Sequence, residues 1–142
     1  MIPLHVLVRV AGVMHFGLLL AGALLPVVLD WRGDLAKLSR LSRQIVWVHG
    51  VFIAMLVCAF GVGSIVLADS LTAGTPLARS LCGFIAVFWL ARLALQLFVL
   101  EASPYLRGLF LKVGYHGLTV VFVYFVMVYG WVAMSSGMGV LP

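Results

Sequence analysis

Four long apolar stretches, each nearly free of charge, follow one another along this 142-residue chain with only short polar clusters between them. The hydrocarbon core of a bilayer is about 30 Å thick, so a helix rising ~1.5 Å per residue needs about 20 apolar residues to cross it. Each stretch reaches that length. A helix also satisfies every backbone N–H and C=O within its own segment, as hydrocarbon demands because it supplies no partners. The chain therefore reads as an all-α integral membrane protein with spans over about 4–29, 44–68, 76–101 and 104–134. Composition agrees, with 65% of residues apolar and 9% charged, against about 25% charged in soluble domains. Such a balance needs apolar side chains facing outward as well as inward.

Polar punctuation sets the boundaries. Asp30, Trp31, Arg32, Gly33 and Asp34 close the first run, and the tryptophan is of the kind that sits among headgroups. Over 34–43, Leu35, Leu38 and Leu41 fall on one stripe and Lys37, Arg40 and Arg43 on another, which predicts a short amphipathic helix in the interface between spans one and two. Thr75 with Pro76 opens the third span as N-cap and first helical residue, where the missing proline N–H is not needed. Ser103 with Pro104 repeats that opening for the fourth. Loops this short make consecutive helices antiparallel neighbours, so residues 1–142 form a single transmembrane domain, an up-down-up-down four-helix bundle. The N-terminal run is too long for a cleaved secretory signal and lacks a basic stretch before it, so it is a permanent first span.

Basic residues mark the cytoplasmic edge of a membrane protein. The edge formed by the first and third loops, here called side A, carries six: Arg32, Lys37, Arg40, Arg43, Arg107 and Lys112. The opposite edge, side B, carries two, Arg9 and Arg79. This asymmetry places side A in the cytoplasm and both termini outside it, in a bacterial inner membrane or plasma membrane. The net charge of +5 is accordingly a matter of topology and lipid contact rather than of nucleic-acid binding. Cys58 and Cys82 both lie inside apolar runs and imply no disulfide framework.

Ionisable groups inside a span are costly, and by default they mark a site. Here they are His15, His49, Arg92 and His116, with Gln96 as a polar neighbour of Arg92. Counted from the charged residues of side A at ~1.5 Å per residue, His49 lies ~9 Å deep and both Arg92 and His116 ~14 Å deep, whereas His15 sits alone at ~22 Å. Three helices thus bring polar groups to one level. On the third span Cys82, Ile85, Trp89, Arg92 and Gln96 recur at steps of three and four, one stripe turned to the bundle interior. No Asp or Glu lies within a span to pair with Arg92; Glu101 is the nearest in sequence and faces nearly the opposite way.

Two imidazoles at one depth, with a cation for propionates, are the elements of a bis-histidine haem b site. On this reading His49 and His116 are the iron ligands, Arg92 and Gln96 meet the propionate side, Thr119 steadies His116, and His15 is a further candidate. Glycines beside the histidines (Gly17, Gly50, Gly114 and Gly117) admit either a flat macrocycle or a close helix. Trp47 and Tyr115, near the same level, would line a quinone pocket. In architecture and histidine placement the pattern is similar to four-helix membrane cytochromes and quinone-reactive anchors. The function expected is therefore that of a small membrane subunit of an electron-transfer complex, binding b-type haem and quinone. Two alternatives stand beside it: a non-catalytic structural or assembly subunit held among other membrane subunits, and a homo-oligomeric channel or carrier. Walker, His-Glu-x-x-His, Cys-x-x-Cys and Glu-x-x-His spacings are absent, which excludes the commonest nucleotide, protease and di-metal chemistries.

Overall fold

A computed structural model describes residues 2–28, 30–99 and 108–135. All regular structure in it is helical: α1 (Leu4–Val28), α2 (Trp31–Ala36), α3 (Arg40–Val66), α4 (Ala68–Leu71), α5 (Pro76–Phe98) and α6 (Leu109–Met134). Four of these, α1, α3, α5 and α6, are long and apolar enough to cross a membrane.

Local chemistry explains where they start and stop. Asp30 adopts the left-handed conformation (φ 46°), which a short polar side chain tolerates better than most, and so ends the first helix. Ser39 caps α3 by accepting the Ser42 backbone N–H at 3.2 Å, and Thr75 caps α5 through Ala78 N–H at 3.2 Å with Pro76 next in line. The expected interfacial helix over 34–43 is not a single element. Residues 31–36 form α2, closed by the Lys37 to Asp34 ion pair at 2.9 Å, while the cap at Ser39 draws Arg40 and Arg43 into the first turn of α3. The span-four opening at Ser103 and Pro104 lies outside the described residues, as do Glu101 and Arg107; α6 begins at Leu109 after Gly108.

The helices associate as two pairs. In one, α1 crosses α3 at glycine: a Cβ on Gly12 would lie 2.9 Å from the Gly61 carbonyl oxygen and 2.7 Å from Ile65 Cγ1, and one on Gly61 would lie 3.1 Å from His15 Cβ. Without a hydrophobic driving force between helices in lipid, such backbone contact is a main source of attraction. In the other pair α5 follows α6 from Arg79, which donates to the Ala133 carbonyl at 3.0 Å, to Gln96 beside Thr119. Rising residue numbers on one helix meet falling numbers on its partner in both pairs.

The two pairs close on each other only over half their length. Toward side B the core is filled by Val8, Ala11 and His15 of α1, Val57, Phe60 and Ser64 of α3, Cys82, Ile85 and Trp89 of α5, and Phe122, Phe125, Tyr129 and Val132 of α6. Toward side A no residue of 16–28 on α1 or of 40–56 on α3 is buried. A closed four-helix bundle would bury one residue in every three or four along its inner faces. Every residue from 40 to 55 of α3 is exposed, so this half of the helix stands clear of its neighbours. A Cβ on Gly22 of α1 would meet nothing within 4 Å.

Candidate functional site

Two polar clusters hold the helices, and neither is open to a ligand. The first lies in the closed half and takes one residue from each long helix. The His15 ring is buried, stacked on Phe125 with centroids 4.1 Å apart. Its Nδ1 lies 2.7 Å from the Ala11 carbonyl, which can only accept, so Nδ1 carries the proton. Its Nε2 then accepts the indole N–H of Trp89 at 3.1 Å. The neutral imidazole has both nitrogens engaged and none left for a metal. Beside it, the hydroxyls of Ser64 and Tyr129 pair at 2.6 Å. His15, which the sequence places alone, is thus the centre of the most enclosed polar group among the described residues. Ser64 and Tyr129 carry no sequence signal that separates them from ordinary polar and interfacial residues; Trp89 was legible only as a member of the buried α5 stripe.

In the second cluster the Gln96 amide donates to Thr119 Oγ1 at 2.7 Å and to the Tyr115 carbonyl at 3.3 Å, Thr119 donates to the same carbonyl at 3.0 Å, and the Tyr115 hydroxyl donates to the Gln96 carbonyl at 3.0 Å. The network ties α5 to α6. Gln96 and Thr119 come together as neighbours, but they serve each other rather than Arg92 or His116.

The half toward side A has different contents. On α3, His49, Ile53, Leu56 and Phe60 recur at i, i+4, i+7 and i+11, and on α5, Phe84, Phe88 and Arg92 recur at i, i+4 and i+8. These stripes meet where Phe60 packs edge-on against Phe84 (6.1 Å) and Phe88 (5.4 Å). Continued toward side A, these stripes bear His49 on α3 and Arg92 on α5. Arg92 is half-buried, its guanidinium carbon 5.3 Å from the centre of the Phe122 ring, and it makes no hydrogen bond or ion pair among the described residues. A face-on ring offsets part of the cost of a cation in hydrocarbon but leaves the N–H fork free. His49 Nδ1 donates to the Ile45 carbonyl at 2.9 Å, leaving Nε2 exposed as an acceptor.

His116 lies elsewhere. It is exposed on the stripe of α6 that also carries Val113, Val120, Val123 and Met127, away from the interior, with the Tyr115 ring edge-on to it at 5.6 Å between centroids. No hydrogen bond or ring contact joins it to His49. Trp47 is also exposed. Among the described residues there is no group of three or more His, Cys, Asp or Glu side chains placed to hold a metal ion. An apolar crevice of about 180 Å³ lies between α3, α4 and α5 on side B, lined by Phe60, Gly63, Leu71 and Leu81, and its one hydroxyl, that of Ser64, is spoken for by Tyr129.

No protein-family model matches the chain, and no curated protein or solved structure is significantly similar to it.

Proposed function

We propose that the chain is a small membrane subunit of an electron-transfer complex that holds a quinone-type ligand between α3 and α5 toward side A. The reading is supported by an exposed acceptor nitrogen, His49 Nε2 on α3, and by Arg92 on α5, half-buried with no hydrogen bond or ion pair among the described residues, both in the halves of their helices nearer side A. A ligand for such groups is itself lipid-soluble and bears oxygens at separated points of a flat head. A quinone meets each requirement. Haem b bound by His49 and His116 of one chain does not fit the residues present, because a bis-histidine site needs imidazoles opposed across one space and His116 is on the outward stripe.

The up-down-up-down arrangement across the bilayer, with side A cytoplasmic, is part of the same proposal. It is supported by the opposed contact order within each pair and by the basic asymmetry of the sequence. A reporter enzyme fused after Pro142 is expected to be active outside the cytoplasm, and cytoplasmic activity would reverse the orientation.

A second reading, a structural subunit whose side-A half is covered by a helix of a partner, has its own support in the unburied first half of α3. Purification in mild detergent followed by solvent extraction separates the two. The proposal expects isoprenoid quinone to co-purify near one per chain and to fall several-fold in Arg92→Leu. Stoichiometric co-purification of another membrane protein with no quinone would favour the structural subunit.

A further inference from the structure

The apolar crevice between α3, α4 and α5 lies toward side B on the same two helices that flank the proposed ligand, and the polar head of that ligand makes no use of it. Resting on that proposed function, we infer that the crevice holds the ligand's prenyl tail. The head lies toward side A, and the chain runs between α3 and α5 toward side B to end against Phe60, Gly63, Leu71, Leu81 and Ile85.

The lining sets the chemistry of the occupant. The crevice measures about 180 Å³, and a cavity of about 150 Å³ walled by similar side chains takes one benzene-sized molecule. It therefore accepts a hydrocarbon group of roughly the bulk of one prenyl unit. Ser64 supplies the only polar side chain of the lining, and its hydroxyl is paired with Tyr129 at 2.6 Å. Nothing there asks for a polar partner. Leu67 and Leu81 belong to the lining and are also exposed, so the crevice opens to the hydrocarbon around the bundle. Its breadth comes from Gly63, where a Cβ would meet nothing within 4 Å.

Continuity along the two helices favours a tail of this ligand over an acyl chain of the bilayer. Phe60 lines the crevice and packs on Phe84 and Phe88, at 6.1 and 5.4 Å between ring centroids. Phe88 and Arg92 are successive members of one stripe of α5, and Ile85 precedes Arg92 by two turns, ~10 Å, on the same face. A chain carried by a head beside Arg92 is led past these rings into the crevice. A phospholipid entering it would find no charged side chain in the lining to hold its phosphate. In hydrocarbon the tail gains nothing by leaving water; its gain is close contact on several sides in place of loosely ordered chains.

The test uses the full chain in nanodiscs of zwitterionic lipid, titrated with a benzoquinone bearing a single prenyl unit and with one bearing about four, enough to pass ~10 Å. Affinities are expressed as mole fraction in the bilayer, so that partition into lipid drops out. Wild-type protein is expected to bind the longer quinone about fivefold more tightly. Gly63→Leu, which fills the crevice, should abolish that preference and leave affinity for the single-unit quinone unchanged. Thermal unfolding checks the fold, and Ala59→Leu, from an exposed position of the lining, is the second filling variant. Equal affinity of wild-type protein for the two tails, or a preference that survives both variants, overturns the inference while leaving a quinone site in place. Absence of binding by either quinone overturns the proposed function with it. In a further arm, a phosphatidylcholine with a diazirine in its acyl chain is photolysed in the discs, and its labelling of Phe60 and Leu81 should fall several-fold when the longer quinone is saturating. Labelling that the quinone leaves unchanged would assign the crevice to bilayer lipid and overturn the inference.

Discussion

Gly12→Leu is expected to detach α1 from α3 and to cost about 3 kcal/mol or more, the upper range for overpacking a site that cannot relax. The atoms a side chain would meet there are the Gly61 carbonyl oxygen and the Ile65 backbone nitrogen, at 2.9 and 3.1 Å from a Cβ, as well as Ile65 Cγ1. Backbone cannot swing aside as a flexible side chain can, so the helices must separate by more than the width of the new methylene. Gly61→Leu should be nearly as damaging, since its Cβ would press on His15 Cβ and the Gly12 carbonyl. Gly50→Leu is the control, for a Cβ at that position meets nothing within 4 Å. Unfolding in bicelles should show a large loss for the first two and a change within ~0.5 kcal/mol for the third. A Gly12→Leu protein as stable as wild type would mean that α1 and α3 do not cross there.

The second large effect belongs to His15. His15→Ala removes a ring stacked on Phe125 and leaves the Trp89 N–H without its acceptor in the closed core. Loss of the packed ring and an unpaired buried donor together should cost about 3 kcal/mol. Trp89→Phe removes the donor and also shrinks a buried ring stacked on Phe122, and should cost about 2 kcal/mol. The two changes act on one interaction and should be non-additive in the double variant. Full additivity would show that imidazole and indole are not paired.

The sequence carries the spans well because the requirement behind them is local: twenty apolar residues in a row answer to the thickness of hydrocarbon, whatever their neighbours do. The buried face of α5 was legible for a related reason. Cys82, Ile85, Trp89 and Gln96 keep helical spacing, and each is buried. Caps at Thr75 and Ser39 depend on adjacent residues only, yet Ser39 was overshadowed by the charge pattern around it, and the interfacial helix was drawn over the start of α3.

Direction was not readable. His49 and His116 count to similar levels from side A, and nothing in such a count reveals that His116 lies on the outward stripe of α6, since that depends on how the helix is rotated against its neighbour. Glycines misled in the same way. Those beside the histidines, Gly17, Gly50, Gly114 and Gly117, face open space, whereas the helix crossing rests on Gly12 and Gly61. His15 seemed solitary because its partners, Trp89 and the Ser64 and Tyr129 pair, come from three other helices, at separations no local pattern records.

A bundle packed toward side B is proposed to hold a quinone-type ligand between α3 and α5 toward side A. Pulsed electron spin resonance distances between nitroxides on α3 and α5 test it most directly, in a chain with Cys58 and Cys82 replaced by alanine. One pair, at Val62 and Val87, reports on the closed half, and another, at Phe52 and Leu95, on the open half; all four side chains are exposed. The expected result is a narrow distribution for the first pair and a longer, broader one for the second that narrows and shortens when a short-chain quinone is added. Two equally narrow distributions, unchanged by the quinone, would contradict it.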